Sequence, residues 1–403
     1  MTDASYKLLH RDGAPDWRTQ MLKLLLRQLH HGRLTIVRPD GLTVSHGRAH
    51  DGPDAVLVLH RWRAVRRFVL AGDVGFGESF VAGDWSSPDL AALIELFASN
   101  DEALRKTVSG FAVTRLANRL RHAVNSNTRR GSRRNILAHY DLGNMFYAQW
   151  LDRGMTYSSA LYTDRAPMLE TAQDEKLNAI VAALDLRGGE RIAEIGCGWG
   201  GLAERLAREG CHVTAVTLSP AQLAYARQRI ADAGLSDRVD VVLRDYRDLD
   251  GRFDRVVSIE MIEAVGYTFL PTFFERIRAL LAPDGAAVLQ AITIANHRFD
   301  FYRRSPDFIQ RHVFPGGLLP SPQLMQTLSR QAGLSMTEQM RFGASYALTL
   351  AEWARRFHVK WPDIEKLGFD ARFQRLWTYY LAYCEGGFRS GAIDVGLYRL
   401  AIA

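Results

Sequence analysis

Two clusters in this 403-residue chain have the residue types and spacing to do chemistry. The first is AEIGCGWGG (residues 193–201), where Glu194 ends a run that reads as a strand and Gly196, Gly198 and Gly200 lead into the helical pattern GLAERLARE. Glycines at such a turn let backbone N–H groups approach a ligand, and the following helix offers its positive end. A plain strand-to-helix turn would use the same residues. Gly196, Gly198 and Gly201 occupy the glycine places of the dinucleotide fingerprint, yet no acidic residue closes the next strand, HVTAVTLS (residues 212–219). S-adenosylmethionine is therefore the better match. The second cluster is SIEMIEAVG (residues 258–266), in which Glu260 and Glu263 stand three apart, the spacing of one helical face. Two adjacent carboxylates raise the pKa of one of them. Glu260 capping a helix or pairing with an arginine is the competing reading.

The elements that must hold these clusters alternate between strand and helix. A helix at DEKLNAIVAAL precedes strands at RIAEIGC, HVTAVTL, VDVVLRD, FDRVVSI and AAVLQAITI, with helices at PAQLAYARQRIADAG and FLPTFFERIRALL between them. The pattern predicts an α/β fold with a doubly wound parallel sheet. Ligands of such sheets bind beyond the carboxyl ends of the strands, which gathers Glu194, Thr217, Asp245, the stretch 260–263 and Gln290 on one edge. A mostly helical tail rich in aromatics follows, including RLWTYYLAYCEGGFR (residues 375–389). Ahead of the sheet, strands at RLTIVRP, DAVLVLH and RRFVLAG close a smaller mixed domain ending in FGESFVAGDW (residues 76–85). Its opening helix, WRTQMLKLLLRQLHHG (residues 17–32), sets Met21, Leu24, Leu25 and Leu29 on one face. Packing on its own domain is the favoured use of that face, and lying on a bilayer the other.

Between Glu102 and Asp141 no acidic residue occurs, while Lys106, Arg115, Arg119, Arg121, Arg129, Arg130, Arg133 and Arg134 do. Such a block suits anionic lipid or nucleic acid equally, or serves as a solvated hinge. The domain boundary falls within it. The expected organisation is a smaller N-terminal domain (1–124), a basic linker (125–136) and a doubly wound domain with a helical C-terminal part (137–403). The net charge of +7 favours anionic partners without choosing among them. Three scattered cysteines make no disulfide framework, the histidines lack a metal-ligand spacing, and no apolar run approaches the ~18 residues of a membrane span. The opening residues lack the order of a signal peptide, which points to the cytoplasm.

Taken together, HYDLGN (139–144), MTYSSALY (155–162), IGCGWGG, VTLSPAQ (216–222), RDYRDL (244–249), FPGG (314–317), FGASY (342–346) and YYLAYCEGGFR (379–389) resemble the cyclopropane fatty acid synthase family of S-adenosylmethionine-dependent methyltransferases. The resemblance covers nearly the whole chain, FGESFVAGDW included. It implies a Rossmann-like methyltransferase domain that transfers a methyl group to the double bond of an unsaturated phospholipid acyl chain. A cyclopropane ring is the expected product, and a methyl-branched unsaturated chain the alternative. Tyr157, Ser158, Gly196, Thr217, Leu218, Gln222, Tyr246 and Arg247 would surround the cofactor, joined by Glu194, Gly198 and Asp245 from the strand edge. Tyr140, Phe146, Phe314 and Trp353, with Tyr157 and Tyr346, are the aromatics available to line an acyl tunnel and face a carbocation, though many aromatics are simply core.

The family is thought to use a bound bicarbonate to remove the proton that lets the ring close. Glu263, Tyr346 and Ile292 match its holders. Ser159 stands where a cysteine is usual, Gln290 where a histidine is, and Ala264 where another histidine is. Serine and glutamine still donate hydrogen bonds, but the possible positive charge of imidazole is gone. Glu260 is an extra carboxylate available to replace part of the anion's function. The resemblance also implies peripheral association with the inner face of the membrane, and it leaves a homodimer open. No nucleic acid is expected. A nucleic-acid methyltransferase and a non-catalytic cofactor binder at the membrane are the rival readings.

Overall fold

The computed structural model describes residues 20, 22, 23, 26–108 and 142–403. The linker and most of the basic block thus lie outside the described residues, as do Tyr140 and the first half of HYDLGN.

The N-terminal portion is a four-stranded sheet. Strands β1 (Arg33–Val37), β2 (Thr43–Gly47), β3 (Asp54–Leu59) and β4 (Trp85–Ser86) lie in the order β2-β1-β3-β4, with β1 and β3 parallel. Helices α1 (Arg63–Val81), α2 (Leu90–Ser99) and α3 (Asp101–Val108) complete it. RRFVLAG, expected as a strand, is instead part of α1. Its apolar run is continuous rather than alternating, and Gly72, at φ 59°, kinks the helix just beyond it. Of the apolar face expected for the opening helix, Leu29 is buried, while Met21, Leu24 and Leu25 lie outside the described residues. Leu22 and Leu26, at i and i+4, are also buried, and with Leu29 they line one small apolar space with Leu34, Ile36 and Leu57 of the sheet.

The second portion holds a seven-stranded sheet. It comprises β5 (Arg191–Ile195), β6 (His212–Thr217), β7 (Val239–Leu243), β8 (Phe253–Ile259), β9 (Leu281–Ile294), β10 (Leu334–Arg341) and β11 (Ile393–Ile402), ordered β10-β11-β9-β8-β5-β6-β7. The five strands expected from sequence pair in parallel, and β10 and β11 add an antiparallel edge where a mostly helical tail was expected. Helices α4 (Leu169–Leu184), α5 (Gly201–Arg208), α6 (Pro220–Asp232) and α7 (Leu270–Leu280) cover the central sheet, and α8 (Phe308–His312), α9 (Gly343–Val359) and α10 (Ala371–Arg389) belong to the tail. Valine- and isoleucine-rich strands buried on both faces are what a parallel sheet demands.

Two consequences matter for the site. Strand order reverses between β5 and β8, so the glycine loop after β5 and the Glu260–Glu263 turn after β8 lie side by side at the topological switch point. The N-terminal portion also packs directly on the tail: a Cβ on Gly386 of α10 would meet the Glu95 backbone nitrogen at 2.7 Å, and one on Gly77 of α1 would meet the Phe308 ring. Small residues are required where these helices cross.

Candidate active site

The glycine loop is built to leave room. Gly196, Gly198 and Gly200 all have positive φ (86°, 53° and 82°), and a Cβ on Gly196 would meet Met261 Cγ at 2.9 Å. Glycine alone fits there without strain or displacement. Trp199 Nε1 donates to Asn144 Oδ1 at 2.8 Å, tying the loop to the last residue of HYDLGN. Beyond β6, Thr217 Oγ1 bonds Gln222 Oε1 at 2.8 Å and accepts from Ser219 N at 3.1 Å, while Ser219 caps α6.

These elements enclose a cavity of about 180 Å³ lined by Tyr157, Ser158, Glu194, Gly196, Gly198, Thr217, Leu218, Gln222 and Tyr246. All nine were expected to face the cofactor. Asp245 and Arg247 do not line it; the two side chains pair with each other, Arg247 Nη2 to Asp245 Oδ2 at 2.6 Å, beside the Tyr246 turn. Their mutual charge and the Asp245 cap on that turn use the groups a ligand would need. Sequence reasoning missed Lys176, Met261 and Trp199, which also line the cavity. No periodicity in the sequence distinguishes a lysine turned inward, such as Lys176, from one on the exposed face of a helix.

A second cavity of about 550 Å³ lies between the two portions of the chain. Its walls are largely apolar, from Phe68, Phe76, Ile94 and Phe97 on one side to Phe314, Tyr380 and Phe388 on the other. Tyr157, Glu260 and Ala264 line both cavities and so mark their junction. Phe314, Tyr157 and Tyr346 line the larger cavity as expected. Phe146 and Trp353 do not: both are fully buried, Phe146 among Trp150, Phe369, Phe373 and Trp377, and Trp353 against Trp150 and Tyr157. They are aromatic core, and Trp353 supports Tyr157 from behind.

At the junction, Glu260 is held by three donors. Its Oε1 accepts from Ser159 N (2.9 Å) and Gln290 Nε2 (2.7 Å), and its Oε2 accepts from the Tyr346 hydroxyl (2.6 Å). Neither a helix cap nor an arginine partner explains it. Ser159 contributes its backbone N–H only, since its hydroxyl turns to the Ala160 carbonyl. Tyr346 is itself fixed by stacking on Phe388, centroids 4.4 Å apart. Glu260 has φ 49°, a left-handed conformation that costs a non-glycine residue about 1 kcal/mol. The three hydrogen bonds offset that strain.

Glu263 does not share a helical face with Glu260; it sits in the 3₁₀ turn Ile262–Ala264. Its Oε1 accepts from Ile292 N at 2.5 Å, and its Oε2 is buried without a partner among the described residues. Burial, then the nearby Glu260 charge, pushes its carboxyl up to about 8. Burial raises Glu260 as well, against the Tyr346, Ser159 and Gln290 bonds that stabilise its charge. Of the pair, Glu263 is the one burial holds protonated at neutral pH, and Glu260 is the one whose ionised form the surrounding donors favour.

The sheet order, the glycine loop and the enclosed cavity beside it define an S-adenosylmethionine-dependent methyltransferase. The chain belongs to the mycolic acid cyclopropane synthetase family, whose sequence model matches residues 127–397. It is a C-methyltransferase, with S-adenosylmethionine as its cofactor. It is 40% identical over 383 residues to the tuberculostearic acid methyltransferase UfaA1 of Mycobacterium tuberculosis, covering 93% of this chain and 88% of that protein. It is 36% identical over 343 residues to the cyclopropane-fatty-acyl-phospholipid synthase of Escherichia coli, covering 84% of this chain and 85% of that one. The crystal structure of mycolic acid cyclopropane synthase CmaA1 with SAH and CTAB superposes with a TM-score of 0.63 at 29% identity, covering 67% of this chain and 98% of that chain. Among the described residues, no helix is long and apolar enough to cross a membrane.

Proposed function

We propose that this protein transfers a methyl group to the double bond of an unsaturated phospholipid acyl chain and releases a methyl-branched, still unsaturated chain. The observation that carries this reading is Glu260, whose carboxylate takes three donors at the junction of the two cavities. The cofactor, when bound, would supply an electrophilic methyl group, its sulfur keeping the electrons of the broken sulfur–methyl bond as a neutral thioether. Methyl transfer forms a carbon–carbon bond to one alkene carbon and leaves a cation on the other. A C–H bond beside that cation then breaks, its electrons form the new double bond, and the proton goes to the Glu260 carboxylate. Tyr157 and Tyr346 line the cavity there, where an aromatic ring stabilises a cation by ~0.5–2 kcal/mol, and the apolar walls keep water from it.

A bound bicarbonate does not fit this arrangement, because the Ser159, Gln290 and Tyr346 donors it would use are already taken by a side chain of the same charge. Glu260 stands in for it. UfaA1, the relative at 40% identity, is named a methyltransferase and not a cyclopropane synthase, which supports this reading. Ring closure remains the second reading, favoured by retention of Glu263, Ile292 and Tyr346 around the junction. Gas chromatography and mass spectrometry of acyl chains from an expressing host separate the two. The expected product is one methylene heavier and takes up hydrogen to give a methyl branch; a product of that mass that resists mild hydrogenation contains a ring and refutes the branched outcome. No mass gain at all would refute lipid methylation.

The substrate reaches the larger cavity from a bilayer. Leu70 and Phe301, both lining it, are 42% and 43% exposed, and the exposed Arg304 lines it beside them. An apolar rim with a cationic flank suits the surface of an anionic membrane, in keeping with a peripheral protein at its inner face. Phe301→Asp is expected to lower turnover on anionic phospholipid vesicles by about 10- to 150-fold, since burying one such side chain contributes ~1.5–3 kcal/mol. Co-sedimentation with the same vesicles should fall in parallel, and unchanged sedimentation would place the entry elsewhere.

A further inference from the structure

The first turns of helix α1 carry positive charge that the methyl transfer does not use. Between Asp54 and Asp73 the chain holds no acidic residue, whereas Arg61, Arg63, Arg66 and Arg67 all fall there. Three of these converge on one carboxylate. Arg63 Nη2 lies 2.6 Å from Asp84 Oδ1, Arg61 Nη1 3.3 Å from the same oxygen, and Arg67 Nη1 3.5 Å from Oδ2. Asp84 is fully buried, while the three arginine side chains keep 59%, 50% and 42% of their surface exposed for Arg61, Arg63 and Arg67. One negative charge thus orders three positive ones and leaves an excess of two at the surface. Arg66 stands outside this clamp: it is exposed and has no ion-pair partner among the described residues.

The place of this patch in the fold says what it meets. Residues 63, 66, 67 and 70 are spaced i, i+3, i+4 and i+7 and precede the kink at Gly72, so three arginines and Leu70 share one face of the helix. Leu70 is exposed and lines the larger cavity. At ~1.5 Å of rise per residue, Arg66 lies about 6 Å and Arg63 about 10 Å along the axis from it. Arg304, also exposed, adds a further positive charge at the same cavity. The geometry points to the arginine face of α1 as the surface that docks on an anionic bilayer, with the guanidinium groups on lipid phosphates and Leu70 among the acyl chains. Docked so, the larger cavity opens toward its substrate. Guanidinium groups already ordered by Asp84 lose less freedom when phosphates bind them. Nucleic acid would answer the charge but not the apolar residue that ends the stripe. The inference rests on entry of the substrate from a bilayer. The competing use of Arg61, Arg63 and Arg67 is to fasten the Asp84 turn to α1, in which Arg66 has no part.

Arg66→Glu tests the surface without touching the clamp. Binding of the full chain to vesicles of unsaturated phosphatidylglycerol is expected to weaken about 30-fold in Arg66→Glu and about fivefold in Arg66→Gln, the effects of two charges and of one at such a surface. In ~1 M salt, where charges act over only ~3 Å, both losses should shrink to within about twofold. Binding to vesicles of unsaturated phosphatidylcholine should stay within about twofold of the parent throughout. Affinity for S-adenosylhomocysteine should do the same, which shows that the variants are folded. Unchanged binding to the anionic vesicles, or an equal loss on the neutral ones, would overturn the docking face. So would a loss confined to duplex DNA, which would assign the stripe to nucleic acid. A parent protein that methylates neither lipid would overturn the lipid reading itself, a result separate from the binding measurements.

Discussion

Glu260→Gln is expected to lower turnover about 10²- to 10⁴-fold, the usual contribution of a positioned general base, while leaving S-adenosylhomocysteine affinity nearly unchanged. The amide keeps an oxygen for the Ser159 and Gln290 donors and preserves the shape of the junction. What it loses is the ability to take a proton. A variant that binds cofactor and still turns over at the parent rate would remove Glu260 from the chemistry. Single-turnover kinetics make the comparison clean, because release of the lipid product does not enter.

Tyr346→Phe is expected to move the acid limb of the pH–rate profile upward by about one to two pH units, the equivalent of a hydrogen bond to a charged group at ~1.5–3 kcal/mol. The sign follows from the charge state required. Glu260 acts as a base only when ionised, and the Tyr346 hydroxyl stabilises that ionised form. Without the hydroxyl, the burial that already raises the carboxyl meets less opposition, so protonation persists to higher pH and the rate at the low end falls. Above the new limb the rate should recover most of its parent value. A limb that stays in place would show that the hydroxyl does not govern Glu260.

The parts of this site that were legible in sequence share a physical reason. Parallel strands must be apolar on both faces, so β5 to β9 announced themselves as valine- and isoleucine-rich runs, and the turns at their carboxyl ends followed from the rule for such sheets. Local glycine chemistry marked Gly196 and Gly198 in the same way. The missed features depend on tertiary contacts. β10 is an edge strand with mostly exposed, polar residues, and its pairing with β11 brings together residues far apart in the chain. RRFVLAG carries strand-like side chains but lies in a helix because its neighbours pack on α10. Glu260 was visible as an extra carboxylate, yet its three donors come from residues 159, 290 and 346, which only the folded chain assembles. Phe146 and Trp353 were misplaced for the converse reason, since an aromatic type does not say which of two neighbouring spaces it fills.

Glycine at position 260 would relieve the left-handed backbone and free the same three donors for a soluble anion. The decisive measurement is therefore the initial rate in buffer stripped of carbon dioxide, with and without added bicarbonate, for the parent protein and for Glu260→Gly. The parent should be indifferent to bicarbonate, and the variant inactive until bicarbonate is supplied. A parent rate that falls on stripping and returns with bicarbonate would contradict the account, because the anion would then be needed although the Glu260 carboxylate is present.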